Sequence, residues 1–320
     1  VRDENLSIFS LYLLSFILHP LSFILYPFKM GISAQKTINH VFGYIGMAIL
    51  VIIIGVPLLW LVSGSMKTNP EFYTATPSLI PERIHLDNFY KAWNQASFGS
   101  YYINSIVTTL IGASAEIIMA VTTAYALVFV RFPFRNFVFV MLLVALMVPE
   151  QVVILPNFLT IADMGLLVTS SRDLSTQDYI RGWLAIILPG ASIAFGTFLL
   201  RQYFRTVPAD LVDAAKVDGA SHWTTMMKVI APVATPAIAT TGLLSFTAKW
   251  NEYLWPLIVT FSDRLRTLPI AMRRLLDAEG NAEWGVVMAA AIFVVLPVIL
   301  VFLYAQRYVV DGLASGAVKG

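Results

Sequence analysis

The 320-residue chain contains no cysteine, which excludes disulfides, thiolate metal sites and cysteine nucleophiles. Charge is scarce as well. Asp, Glu, Lys and Arg make up 12% of the chain against 58% hydrophobic residues, whereas a soluble domain carries about 25% charge. So few charges cannot clothe a water-facing surface of this size, while a lipid-facing surface needs very few. The mean hydropathy of +0.75 points the same way. With a net charge of +2 and its basic residues scattered, the chain is not expected to bind nucleic acid. No Gly-x-x-x-x-Gly-Lys-Ser/Thr phosphate loop occurs, so the chain has no evident cradle for ATP. The four histidines, His19, His40, His85 and His222, are far apart and lack ligand spacing, so no metal site or bound cofactor is expected. Nor is there a Gly-x-Ser-x-Gly elbow or a clustered acid-base set, and no catalytic residue is assigned.

What the chain has instead is long apolar runs. A helix crossing a hydrocarbon layer needs about 20 mostly apolar residues, and six segments qualify. The first covers residues 42–62, and the second covers 103–130, behind Tyr101 and Tyr102. The third, 137–158, is interrupted by Pro149 and Pro156, which predict a kink or a break. The fourth runs from Trp183 to Arg201, the fifth covers 236–261 and the sixth 285–308. Residues 6–28 are apolar enough for a seventh, but His19-Pro20 and Pro27 interrupt them. Residues 1–35 are therefore read as a hydrophobic appendage, either an extra N-terminal helix across the membrane, a helix lying on its surface, or a leader-like segment. The expected fold class is all-α integral membrane, with six core transmembrane helices over residues 36–320.

Basic residues in short loops stay cytoplasmic. Arg131 and Arg135 bracket the loop after the second span, and Arg201, Arg205, Lys216 and Lys228 lie in the loop after the fourth. Both loops are assigned to the cytoplasm. Arg264, Arg266, Arg273 and Arg274 then fall outside, in an acid-rich stretch read as a folded, partly re-entrant helix.

The loop at about 205–232 is the most informative stretch. Pro208 suits a first helical position, Asp210 the positive end of a helix dipole, and Gly219 the position just past a helix end. This helix of about ten residues is too polar to span, yet Leu211, Val212, Ala214, Ala215 and Val217 give it apolar and small faces. Small side chains let another surface approach closely, and the Asp213 and Asp218 carboxylates can hold a basic or amide partner. On helix physics alone a capped connector fits as well as a docking helix does. The order of residues distinguishes them. Asp213-Ala214-Ala215, two residues, Asp218-Gly219-Ala220, then Pro232 and Pro236, closely resembles the cytoplasmic EAA loop of ABC importer permeases. Asp213 replaces the usual Glu, and Met226 stands where Phe is common. Trp250-Asn251-Glu252-Tyr253-Leu254-Trp255-Pro256-Leu257, Glu283-Trp284 before the last apolar run, and the tail from Gly312 resemble the second permease subunit of carbohydrate importers of the maltose and glycerol-3-phosphate type.

That resemblance implies a type I importer permease in the bacterial inner membrane, passing a sugar or sugar-phosphate. It implies four kinds of partner: a homologous permease subunit, two copies of a cytoplasmic ATPase that hold ATP and Mg, an extracytoplasmic substrate-binding protein, and membrane lipid. It places ATPase coupling on Asp213, Ala214, Ala215, Asp218, Gly219 and Ala220, in a helix spanning residues 208–218. Charges within hydrocarbon cost about 2.5 to 3.5 kcal/mol each and usually face protein or a water-filled path. Glu150, Gln151, Trp250, Asn251, Glu252, Tyr253 and Trp255 are the candidate lining of a substrate pathway, with Glu116 and Lys249 as further buried charges. The plain alternative for any one of them is helix-to-helix packing. An ion-coupled secondary transporter or channel would explain the spans and charges equally well but not the docking loop, and a membrane-embedded enzyme has no motif in its favour.

Overall fold

A computed structural model of the chain describes residues 34–76, 78–95, 98–169, 174–189, 193–276 and 282–317. Of the appendage read over residues 1–35, residues 1–33 lie outside the described residues, and Ala34 and Gln35 open the first helix. Those described form helices joined by short loops, with no strand among them. Three helices are long and apolar enough to cross a membrane unaided. They are α1 (Ala34–Gly64), α3 (Phe98–Phe129) and α13 (Trp284–Ala317). Each is predominantly apolar along its length, and α3 keeps its polar residues Asn104, Ser105, Thr108, Thr109 and Glu116 on its buried side. Pro57 and Pro297 are absorbed within α1 and α13.

The other expected crossings are divided. α4 (Arg135–Met147) and α5 (Glu150–Asp163) meet at 99°. Their hinge is Val148-Pro149, with Pro149 in extended conformation (ψ 134°) as the N-cap of α5, so the ladder stops where proline has no N–H to give. The fourth crossing comprises α6 (Thr176–Ile187) and α7 (Ile193–Phe204). The fifth consists of α10 (Thr235–Trp250), an unwound stretch at residues 251–253, and α11 (Leu254–Val259). The segment His222–Val233 meets α10 at 84°, and counting that pair and the α4–α5 pair as one span each raises the number of candidate crossings to five. The break expected from Pro149 within 137–158 is present, whereas 236–261, read as one continuous span, is interrupted at residues 251–253. Among the connectors, α2 (Asp87–Gln95) follows α1, α8 (Ala209–Val217) and α9 (His222–Val233) follow α7, and α12 (Leu268–Leu276) follows α11.

Helix α3 is the post around which the rest is assembled. Its first half joins Phe246 and Trp250 of α10, Leu268 and Ala271 of α12, and Val286 and Ala290 of α13 in one buried cluster. Its second half joins Leu200 and Phe204 of α7, Val212 of α8, and Met226 and Ile230 of α9 in another. A third cluster packs Ile161 of α5, Ala185 of α6 and Trp255 of α11. Membrane helices approach closely where side chains are small, and Gly196 shows it here. A Cβ at that position would lie 2.9 Å from Ala120 Cβ and 3.3 Å from Thr241 Cγ2. α1, in contrast, exposes Ile45, Ile49, Ile52 and Ile53 at 51 to 62%, as a lipid-facing wall would.

The stretch after α11 is tied down by α3. Asn104 donates to the carbonyls of Arg264 (2.8 Å) and Arg266 (3.0 Å) and accepts from Trp183 Nε1 at 2.9 Å. Ser105 Oγ accepts from Leu268 N–H at 2.8 Å. The folded helix expected in this stretch is α12, packed on α3 and α13.

Crowding at Gly196 and open space at Gly46, where a Cβ would meet nothing within 4 Å, give opposite expectations. Gly196→Leu is expected to lower the melting temperature of the detergent-purified protein by about 5 °C or more, as overpacking does. Gly46→Leu should leave it unchanged. Equal effects, measured by thermal unfolding of both variants, would contradict this packing.

Candidate functional site

Two features of the bundle have the chemistry of a site. The first is a cavity of about 680 Å³, within the range of small-molecule sites. It lies where the broken helices interrupt: Val148, Glu150 and Gln151 from the α4–α5 hinge, Pro189 after α6, and Glu252, Tyr253 and Leu254 from the unwound stretch after α10. Broken helices leave polar backbone inside a bundle only where it lines a cavity or is covered by protein. The prolines that divide the crossings therefore also place the cavity.

On its α3–α10 side the cavity meets Glu116 and Lys249. Lys249 Nζ lies 3.4 Å from Glu116 Oε2, and both side chains are only 11 to 12% exposed. Ser245 Oγ donates to the same carboxylate oxygen at 2.6 Å. The lysine reaches Glu116 by passing over Gly112, where a Cβ would come within 3.0 Å of Lys249 Cδ. A pair so deep in the bundle holds because each charge answers the other.

Of the residues predicted to line a pathway, Glu150, Gln151, Glu252, Tyr253 and Trp255 border the cavity together. Their surroundings differ. Trp255 is 6% exposed and donates from Nε1 to the Ala185 carbonyl at 3.1 Å, so its ring serves packing between α11 and α6. The Tyr253 hydroxyl accepts from Arg273 at 3.2 Å. Trp250 and Asn251 do not border the cavity. Trp250 is 1% exposed, stacks on Phe246 (centroids 5.7 Å apart) and donates to the Val294 carbonyl at 2.8 Å; it fastens α10 to α13. Asn251 turns back to the Thr247 carbonyl of its own helix at 2.9 Å, closing the end of α10. Asn157 and Pro189 border the cavity without having been singled out in the sequence. A lone amide one residue after Pro156 was the available signal for Asn157.

The second feature is the polar loop. Pro208, with ψ 131°, stands just outside α8 as its N-cap instead of occupying the first helical position. At the other end Gly219 takes φ +74°. Its N–H bonds to the Lys216 carbonyl (3.0 Å), and the Ala220 N–H bonds to the Ala215 carbonyl (2.9 Å). These two bonds form a Schellman stop, which needs the left-handed residue that glycine supplies most cheaply. Ser221 then caps the next helix, accepting from Thr224 N–H at 3.3 Å.

Val212 and Ala215 face inward and are buried at 4 and 7% exposure. Asp213, Ala214, Asp218 and Gly219 lie on the open side, and Ala220 is half-buried. Val217 is 88% exposed and Trp223 62%, an apolar surface beside Gly219 that no other described residue covers. Lys216 hydrogen-bonds Asp213 at 2.9 Å and so holds its carboxyl below the usual range, with Arg131 adding to the effect. Arg131 thus lies near the loop, and the two basic loops share one end of α3, as charge alone suggested. His222 Nδ1 lies 3.2 Å from the Tyr125 hydroxyl, joining the loop to α3.

Comparison with known proteins matches these features to a family. The profile described as "Binding-protein-dependent transport system inner membrane component" matches residues 116–315. The sn-glycerol-3-phosphate transport system permease protein UgpE of Brucella abortus is 32% identical over 293 residues, covering 88% of this chain and 98% of that protein. The arabinooligosaccharides transport system permease protein AraQ of Halalkalibacterium halodurans is 30% identical over 279 residues, covering 86 and 95%. Among solved structures, a bacterial ABC transporter involved in the import of the acidic polysaccharide alginate aligns with TM-score 0.72 at 24% identity, over 88% of this chain and 99% of that one. This likeness establishes the fold, that of a type I importer permease.

The buried pair gives the site's own test. Removing one charge strands the other, at a cost of about 3 to 5 kcal/mol. Lys249→Met is therefore expected to destabilise the protein strongly, and the double variant Glu116→Gln/Lys249→Met to recover most of the loss. Thermal unfolding in detergent measures both, and a double variant no more stable than the single one contradicts the pairing.

Proposed function

Because the chain belongs to the family of inner membrane components of binding-protein-dependent transport systems, we propose that α8 and the exposed surface beside Gly219 receive force from a separate ATPase. The chain is a multi-pass inner membrane permease subunit, a transport component and not an enzyme. Membership in this family removes the ion-coupled and enzymatic alternatives that composition left open.

On this reading a homologous permease pairs with the chain, two cytoplasmic ATPase subunits hold ATP and Mg, and an extracytoplasmic binding protein delivers the solute. A periplasmic protein bound to an alginate pentasaccharide accompanies the transporter in one solved structure of this fold, and that arrangement is the precedent for the last partner. The solute class is a sugar or sugar derivative, in line with what the relatives are named for. The loop containing α8 faces the cytoplasm.

The observation that carries the reading is the two-sided build of α8. Its inner face is locked into the bundle by Val212 and Ala215, while Val217 and Trp223 stand bare beside the rigid stop at Gly219. A lever needs these two properties, firm attachment on one side and an open contact on the other. Closure of the ATPase dimer would then tilt α8 and α9 against α3, and the pathway at the helix breaks would open to alternate sides, a two-state switch biased by nucleotide.

Val217 is so exposed that Val217→Glu should leave folding within about 0.5 kcal/mol of the parent. The expected outcome is normal insertion, loss of the copurifying ATPase, and ATP-driven uptake down at least about tenfold, as for a central contact residue. Undiminished copurification and uptake would refute the reading. Uptake by this chain alone on an ion gradient would instead restore the secondary-transporter alternative.

A further inference from the structure

The cavity at the helix breaks has a charge character at odds with the anionic solutes, glycerol-3-phosphate and alginate, for which some of the similar proteins are named. Among the described residues that border it, the one cation is Lys249, and Glu116 answers that charge at 3.4 Å. Glu150 and Glu252 add two more carboxylates, and the remaining polar groups are the Gln151 and Asn157 amides and the Tyr253 hydroxyl. Arg273 donates to that hydroxyl and is not among the residues that border the cavity.

Recognition of a phosphate or carboxylate solute calls for converging cations or for free N–H groups at a helix N-terminus. Helix α5 does begin at the cavity, but its first residue is Glu150, so a carboxylate already occupies the end where an anion would be attracted. Carboxylates and amides are instead the acceptors and donors that sugar hydroxyls need. Among the described residues that border the cavity, an anionic solute would meet repulsion and no uncommitted lysine or arginine, since Lys249 is already paired with Glu116.

We propose that this cavity is built to pass an uncharged, polyhydroxylated solute, a neutral sugar or polyol, and to discriminate against phosphate esters and uronates. The glycerol-3-phosphate importers and the alginate importer that the chain is similar to therefore share its fold but not its solute class. The proposal rests on the reading of the cavity as the transport pathway.

The absence of cysteine makes a direct test available. Ala145→Cys places a single thiol on the exposed cavity wall, and the full chain in its assembled importer is labelled in native membrane vesicles. Rates are compared for a cationic and an anionic methanethiosulfonate, each divided by its rate with free 2-mercaptoethanol. The expected result is a preference of about tenfold for the cationic reagent, the size of local potential that charged clefts produce. That preference should collapse toward parity in the Glu150→Gln/Glu252→Gln background. Parity without those changes, or a preference for the anionic reagent, overturns the charge assignment and leaves the permease reading intact. If neither reagent reaches position 145, the cavity is not a solute pathway and the proposal falls with that reading.

Discussion

Hydrocarbon tolerates a charge only when something nearby answers it, and in this bundle that constraint meets at Glu116 and Lys249. Each comes from a different helix, so satisfying the charges also fixes α3 against α10. The contact exists because residue 112 has no side chain to bar the lysine stem. Two residues beyond Lys249 the helix stops, and the chain unwinds through Glu252 and Tyr253 at the edge of the cavity. Clamp, break and cavity are thus one arrangement.

The other end of α3 is organised by shape more than by charge. Tyr125, nine residues along from Glu116, meets His222 of the polar loop, and the buried faces of α7, α8 and α9 close around the same half of the post. Cavity and lever therefore sit at different heights on one rigid helix. In the proposed mechanism this is how a push beside Gly219 is felt where the solute passes: a rigid element with two packed ends moves as a unit, and the breaks at Pro149 and at residues 251–253 are where the surroundings can bend.

Much of this was legible in the sequence, and the reasons are physical. Length and apolar character alone identify α1, α3 and α13, because a spanning helix must be apolar wherever it faces lipid. Pro208 and Gly219 announce α8 because each residue type fits one end of a helix and not its middle. Pro149 announces a break, but not a bend of 99°, since the angle depends on what the second half packs against. The tryptophans are ambiguous for a related reason. An indole suits a sugar face and a helix interface equally well, and only the structure gives the Nε1–H of Trp250 to Val294 and that of Trp255 to Ala185. Carboxylates are more predictable: Glu150 and Glu252 border a cavity because burial against apolar helices would leave them unanswered.

In the proposed mechanism the rigid turn at Gly219 presents α8 to a nucleotide-driven subunit on the cytoplasmic side. The most direct measurement is proximity in the working assembly, using Asp218→Cys in this cysteine-free chain and a short thiol cross-linker. The account predicts a cross-link to the ATPase subunit whose yield changes between nucleotide-free and ATP-bound states. Labelling of that thiol by an impermeant reagent from the extracytoplasmic face, or an intact assembly in which no ATPase lies within reach, would contradict it.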